Sequence, residues 1–97
     1  MGGQDSHDVA GAFNNIGIFY EKKGDLENAL VHHQKGLEIK LKLLGRDHPL
    51  VVTSCSNIGV VYSLMGDLEN ALVQHQKALE IRKRVFESEH LDVAASY

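Results

Sequence analysis

The chain has 97 residues, of which 43% are hydrophobic and 24% are charged, with one proline and one cysteine. This length fits one compact unit and excludes a second domain, and the apolar content is too high for obligate disorder. The formal charge of -3 argues against nucleic acid or an anionic membrane as the partner, because both select a basic surplus.

The single Cys55 has no partner for an internal disulfide, and the composition is typical of a reducing compartment. We therefore expect a cytoplasmic protein. Residues 1–7 lack a basic segment followed by an apolar stretch, and we interpret them as a leader or as the end of a preceding linker. No apolar run approaches the roughly 18 residues of a membrane span.

The first predicted helix covers residues 8–23 and the second covers residues 26–44. Both are amphipathic, because apolar side chains recur at helical spacing. In the first helix these positions are Val9, Phe13, Ile16 and Tyr20. In the second they are Leu26, Leu30, His33, Leu37, Leu41 and Leu44. Gly24 is placed to end the first helix in a left-handed conformation, and Asp25 is placed to cap the second.

A linker with strong helix-breaking signals follows the second helix. Gly45 provides a stop, and Pro49 is suited to the first turn of a third helix. We expect His48, which precedes that proline, to brace the turn. The linker therefore separates two helical pairs.

The second half of the chain repeats the first with an offset of 42 residues. Asn15-Ile16-Gly17 recurs as Asn57-Ile58-Gly59, and residues 24–31 recur unchanged as residues 66–73. A fixed period of this length is typical of stacked supersecondary units that bury their apolar faces on one another.

By this offset we predict a third helix at residues 49–65, a fourth at 68–86 and a truncated helix at 91–97. His90 then lies in a second linker, as His48 lies in the first. The units are residues 8–44 and 49–86, and residues 91–97 begin a third. We expect the sequence to be part of a longer protein.

These residues resemble the tetratricopeptide repeat, and more narrowly its long 42-residue variety in kinesin light chains and nephrocystin-like proteins. The first unit meets the family's spacing of large, small and aromatic residues with Phe13, Ile16-Gly17, Tyr20, Gly24 and Ala29. The second meets it with Cys55, Ile58-Gly59, Tyr62, Gly66 and Ala71. The resemblance implies an all-α, right-handed superhelix of antiparallel helix pairs.

The resemblance also implies a concave groove lined by the first helix of each unit, which binds a peptide. Carried over by position, its residues are Asn14, Asn15, Ile18, Glu21, Lys22, Thr53, Ser56, Asn57, Val60, Ser63 and Leu64. Asn15 and Asn57 are the strongest candidates, because amide side chains can both donate to and accept from a peptide backbone. The alternative is that both asparagines are solvated helix residues or form hydrogen bonds with neighbouring loops.

The sequence departs from the family members that grip an acidic peptide terminus with basic side chains. Gly11, Asn14 and Thr53 stand where those bases would be. The expected groove is neutral with an apolar component, which favours a ligand recognised through its backbone and a few apolar side chains.

Six histidines invite a metal hypothesis, with His32, His33 and His75 as the candidate cluster. No pair of histidines has the i and i+4 spacing of a helical zinc site, so we predict no metal and no cofactor. His33 and His75 lie on the expected buried stripe, and we interpret them as neutral core histidines with hydrogen-bond partners. Acidification is expected to destabilise the fold through them.

Catalysis is not expected. The sequence lacks a glycine-rich phosphate loop and a Ser-His-Asp arrangement, and Cys55 occupies a core position without a positioned base. The basic run at residues 81–84 is interpreted as a solvated helix C-terminus, supported by a pair between Glu80 and Arg84.

Two functions remain open. The first is a protein-interaction module that binds a peptide or a partner protein. The second is a structural spacer or self-assembling array. Two units lack the polar caps of a complete array, and the fourth helix presents an apolar face with Leu68, Leu72, Leu79 and Phe86. We therefore also predict that the chain associates with itself.

Overall fold

A computed structural model describes residues 7–95, and the side chains of residues 7–87. Four helices follow one another as α1 (His7–Lys23), α2 (Leu26–Leu44), α3 (Pro49–Met65) and α4 (Leu68–Ala95), and the described residues form no strand. The helices pack as two antiparallel pairs, α1 with α2 and α3 with α4, and α2 packs on α3. The predicted all-α class is confirmed.

Glycines end the helices where the sequence predicted. Gly24 and Gly66 adopt φ angles of 85° and 83°, in the left-handed region that only glycine enters at little cost. In the first linker, Leu50 N donates to His48 Nδ1 over 3.1 Å, so His48 caps α3 immediately before Pro49. The expected bracing role of His48 is confirmed.

Two aspartates cap the second helix of each pair. The Asn28 amide N donates to Asp25 Oδ1 over 3.3 Å, and Asn28 Nδ2 donates to Asp25 Oδ2 over 2.7 Å. These hydrogen bonds hold the pKa of the Asp25 carboxyl below its ordinary value. Asp67 and Asn70 repeat both bonds at 3.3 and 2.7 Å. The same cap therefore sets both turns.

The fourth helix differs from the sequence prediction. We expected it to end at residue 86 and a new helix to begin at residue 91, but α4 runs through both points to Ala95. The first linker contains a glycine and a proline, whereas Glu87 and Leu91 stand at the corresponding positions. Neither residue breaks a helix, so the backbone hydrogen bonding continues.

The longer α4 changes two further expectations. His90 lies within the helical backbone of α4 and not in a linker. The basic run at residues 81–84 lies in the middle of α4, not at a helix C-terminus where it would complement the dipole. The assignment of residues 91–97 to a third unit remains a prediction, and Ser96 and Tyr97 lie outside the described residues.

Small residues allow each pair of helices to cross closely. A Cβ atom added at Gly17 would lie 2.8 Å from Cε1 and Nε2 of His33, and one added at Gly59 would lie 2.8 Å from Nε2 of His75. Ala29 is completely buried. The helices of each pair therefore approach until a histidine ring of the second helix contacts a glycine of the first.

The densest part of the described core lies between α3 and α4. It consists of Val51, Val52, Cys55, Ala78 and Ile81. Burial raises the pKa of the Cys55 thiol, which keeps the thiol protonated and unreactive. The expected core role of Cys55 is confirmed.

The two pairs are joined by a buried polar contact that the sequence analysis missed. Lys40 Nζ of α2 donates to Ser54 Oγ of α3 over 2.9 Å, and both residues are buried. Burial lowers the pKa of the Lys40 ammonium from its ordinary value. The contact fixes the register in which the second pair stacks on the first.

Candidate functional site

The predicted groove residues come from the first helix of each pair, α1 and α3. On α1, Asn15, Ile18 and Lys22 are exposed. On α3, the exposed members are Thr53, Val60, Ser63 and Leu64. The half-buried members are Asn14, Glu21, Ser56 and Asn57. Most of the set is therefore accessible to a ligand, with an apolar component from Ile18, Val60 and Leu64.

Asn15 and Asn57 are related by the repeat but differ in exposure. Asn15 is exposed, whereas Asn57 is half-buried beside the stacked first pair. Each asparagine lies about one helical turn before a residue of the apolar component. Asn15 precedes Ile18 by three positions, and Asn57 precedes Val60 by three positions. Each asparagine therefore shares a helical face with an exposed aliphatic side chain.

Asn14 is directed towards α2. A Cβ atom added at Gly36 of α2 would lie only 2.6 Å from Asn14 Oδ1, and this oxygen is buried without a hydrogen-bond partner. In the second pair the equivalent residues are Ser56 and Ala78, a smaller polar residue facing a larger apolar one. The larger Asn14 thus occurs with the smaller Gly36, and the smaller Ser56 with the larger Ala78. This compensation in side-chain size is the sequence signal that identifies Asn14 as a helix-packing residue.

Glu21 is engaged with the core histidine of the first pair. His33 is completely buried, and its Nε2 lies 3.7 Å from Glu21 Oε1. Burial lowers the pKa of His33 below its ordinary value, and the nearby Glu21 carboxylate opposes this shift. His33 is therefore a neutral core histidine, as predicted, but neither ring nitrogen has the expected hydrogen bond.

His75 contradicts the sequence prediction, because it is exposed and not buried. It approaches Gly59 as His33 approaches Gly17, but within the described residues no following helix covers it as α3 covers α2. Exposure at this position depends on the neighbouring unit, which is why the 42-residue offset predicted it wrongly.

Thr53 lies at the edge between α3 and α4. Its hydroxyl donates to the Pro49 carbonyl oxygen over 3.4 Å, and it lines a cavity of about 190 Å³ with Val52, Arg82 and Val85. Its hydroxyl is already bonded to backbone, so Thr53 offers a ligand less polar capacity than Asn15 does.

A larger cavity of about 280 Å³ is bounded by α2, α3, α4 and the linker between the pairs. Its apolar lining comes from Leu37, Leu41, Val51, Cys55 and Ile81. Charged residues Arg46, Lys77, Glu80 and Arg84 surround it. The cavity was not predicted from the sequence, because its walls come from both units.

Arg84 binds the linker and not the residue we expected. Its Nε donates to Asp47 Oδ1 over 2.9 Å, which ties α4 to the linker between the pairs. The predicted pairing with Glu80 on the same helix is replaced by this longer-range contact. Both side chains are nearly half exposed, so the contact is screened by solvent.

Within the part of the chain whose side chains are described, no three histidine, cysteine or acidic residues come together as a metal site would require. None of the described helices combines the length and apolar character needed to cross a bilayer.

The described part of the chain is thus an α-helical array of two similar helix pairs. The pairs repeat after 42 residues in the sequence, and α2 of the first packs on α3 of the second. The family model for the tetratricopeptide repeat matches residues 8–84, and matches again over residues 55–97. The chain belongs to the tetratricopeptide repeat family. Repeats of this family generally serve as scaffolds for protein-protein interaction. No curated protein matches the chain.

Proposed function

We propose that this chain is a non-enzymatic, cytoplasmic interaction module that binds a peptide segment of a partner protein along α1 and α3. We further propose that it belongs to the long 42-residue variety found in kinesin light chains and nephrocystin-like proteins. The observation that carries the proposal is a face, present on both helices, that pairs an amide side chain with an exposed aliphatic residue one turn later.

The chemistry of this face selects the kind of ligand. The amides of Asn15 and Asn57 can bond the backbone of an extended peptide without regard to its sequence. The exposed aliphatic side chains, Ile18 (38% exposed) and Val60 (41% exposed), then favour apolar side chains of that peptide. Lys22 is the one basic member of the predicted set, so recognition of a strongly acidic segment is not favoured.

The experiment is selection of displayed random peptides on the wild-type chain, followed by binding measurements on the enriched peptides. The double variant Asn15→Ala and Asn57→Ala should weaken binding by at least about tenfold, because each truncated amide leaves peptide groups unpaired. The matched control is Gln34→Ala together with Gln76→Ala, which removes two exposed amide side chains from α2 and α4, away from this face.

Circular dichroism of both double variants controls for folding. Equal loss of peptide binding in the two double variants would refute a specific role for Asn15 and Asn57. Enrichment of peptides whose binding depends on the residues around the larger cavity would instead place the ligand at that cavity.

The second candidate function is self-assembly of the array. It is favoured by the stripe of exposed apolar side chains along α4, namely Leu68, Leu72, Leu79 and Phe86, which are 58–69% exposed. Several large apolar side chains exposed along one helix are typical of an interaction surface. This stripe lies on α4, whereas the proposed peptide-binding residues lie on α1 and α3.

A further inference from the structure

The open face of α4 corresponds to a face that is covered elsewhere in the same chain. By the 42-residue offset, Leu68, Leu72, His75 and Leu79 correspond to Leu26, Leu30, His33 and Leu37 of α2. On α2, where α3 packs, these residues are buried or half-buried, whereas on α4 all four are exposed. We name these four residues of α4 the tail face.

The first helix carries the complementary face. Ser54, Ile58 and Val61 of α3 are completely or almost completely buried. Their counterparts on α1 are Ala12, Ile16 and Phe19, and all three are exposed. Ile16 is 40% exposed where Ile58 is 1% exposed, and Phe19 is 55% exposed where Val61 is fully buried. We name these three residues of α1 the head face.

Among the residues whose side chains are described, there is therefore one completed joint between a tail-type face and a head-type face, namely α2 on α3. Within that part of the chain, one face of each type is also exposed. From this we infer that a second copy docks its head face on the tail face of the first, and so continues the 42-residue stacking between molecules. The inference builds on the self-assembly candidate and is independent of peptide binding.

This geometry specifies an open series and not a closed dimer. The two faces are different surfaces on opposite ends of the array, so each added copy presents a fresh tail face. A symmetric pairing of tail face with tail face would instead close at two copies. The size distribution therefore distinguishes the inferred arrangement from other forms of self-association.

The joint between molecules is weaker than the joint within the chain, for two reasons. The buried bond from Lys40 to Ser54 has no equivalent, because Arg82 and Ala12 stand at the corresponding positions. The linker also holds α3 beside α2 at an effective concentration of about 1 mM, which separate molecules do not have. Assembly is thus expected only at high protein concentration.

The test is sedimentation velocity from about 10 µM to about 1 mM, a range set by that effective concentration. We expect the weight-average mass to rise continuously from the 10.7 kDa monomer past the mass of a dimer. Phe19→Glu should block the head face and Leu79→Glu the tail face, so each variant alone should remain a monomer. Both side chains are more than half exposed. Phe19→Glu also removes the contacts of the Phe19 ring with Tyr20 and Lys23, which lie on the same helix, so it is checked for helix content.

Mixing the two blocked variants is the decisive step. One variant keeps an open tail face and the other an open head face, so the mixture should form a heterodimer and stop there. Val31→Glu is the matched control, because Val31 and its counterpart Val73 are equally exposed at 43% and belong to neither face. This control should assemble as the wild type does.

Ile16→Glu and Leu72→Glu are second variants for the head and tail faces, should circular dichroism show loss of helix in the first pair. A wild type that stops at a dimer, or one blocked variant that still assembles, would overturn the head-to-tail arrangement while leaving self-assembly intact. A monomer at all concentrations would overturn both, and would mean that something other than a second copy covers these faces.

Discussion

The contact between a helix glycine and a histidine ring provides a matched pair of substitutions. In the first pair of helices, a Cβ atom at position 17 would lie 2.8 Å from His33, whose side chain is completely buried. In the second pair, a Cβ atom at position 59 would lie 2.8 Å from His75, whose side chain is exposed. The clash is nearly the same, but only the ring of His75 has open space to move into.

The magnitudes follow from two opposing effects. Alanine in place of glycine stabilises a helix interior by about 1 kcal/mol. Overpacking a closed core costs about 1–3 kcal/mol. Gly17→Ala should therefore lower the free energy of unfolding by up to about 2 kcal/mol, whereas Gly59→Ala should leave it unchanged or raise it by up to about 1 kcal/mol.

Urea unfolding followed by circular dichroism measures both values. Combining Gly17→Ala with His33→Ala removes the ring that the new methyl group meets. The two changes should therefore be strongly non-additive, with the second substitution cancelling the overpacking cost of the first. Equal effects of Gly17→Ala and Gly59→Ala, or additivity in the double variant, would refute the assignment of His33 as an immobile core ring.

Three further outcomes are expected. Burial lowers the pKa of His33, so the unfolded chain binds this proton more readily than the folded chain does. The contribution of His33 to the free energy of unfolding should therefore be constant above about pH 6.5 and fall below it. Urea unfolding at several pH values should show that His33→Gln removes this dependence. Lys40→Met should lower the free energy of unfolding, measured with urea, by about 1–3 kcal/mol, because it leaves the Ser54 hydroxyl buried and unpaired. Adding Ser54→Ala should restore most of that free energy. Leu91→Pro should shorten α4 and reduce the helical signal in circular dichroism, whereas an unchanged signal would contradict a continuous helix to Ala95.

The helix boundaries of the first three helices followed from local signals. Gly24, Gly45 and Gly66 all adopt positive φ angles, and Pro49 lies at the start of α3. The end of α4 was predicted from the repeat offset alone, although the chain has no glycine or proline at residues 87–91. Where the offset and the local residues disagreed, the local residues determined the structure.

Burial followed the neighbours of each residue more than its own type. His33 and His75 occupy the same position in identical helix starts, yet one is buried and the other exposed. The same holds for Ile58 and Ile16. A repeat pattern predicts which face of a helix is apolar, but the structure is needed to know whether another helix covers that face.

The predicted groove could be assigned to a face from the family spacing, but not to individual side chains. The amide of Asn14 turns towards Gly36, and Glu21 lies beside His33, so both are partly committed to the packing of the first pair. These contacts depend on which residue of the neighbouring helix lies opposite. The apolar pattern of one helix does not show which residue that is. The accessible part of the face consists of Asn15 and Ile18 on α1, and of the half-buried Asn57 with the exposed Val60, Ser63 and Leu64 on α3.

Chemical-shift mapping tests the proposed peptide-binding face most directly. The probe is a peptide enriched on the wild-type chain, titrated into isotope-labelled protein at a concentration at which the protein is monomeric. We predict that the side-chain amides of Asn15 and Asn57 shift together with the methyl groups of Ile18 and Val60, while α2 and α4 change little. Shifts centred instead on Leu37, Leu41 and the rest of the larger cavity would contradict the proposed site.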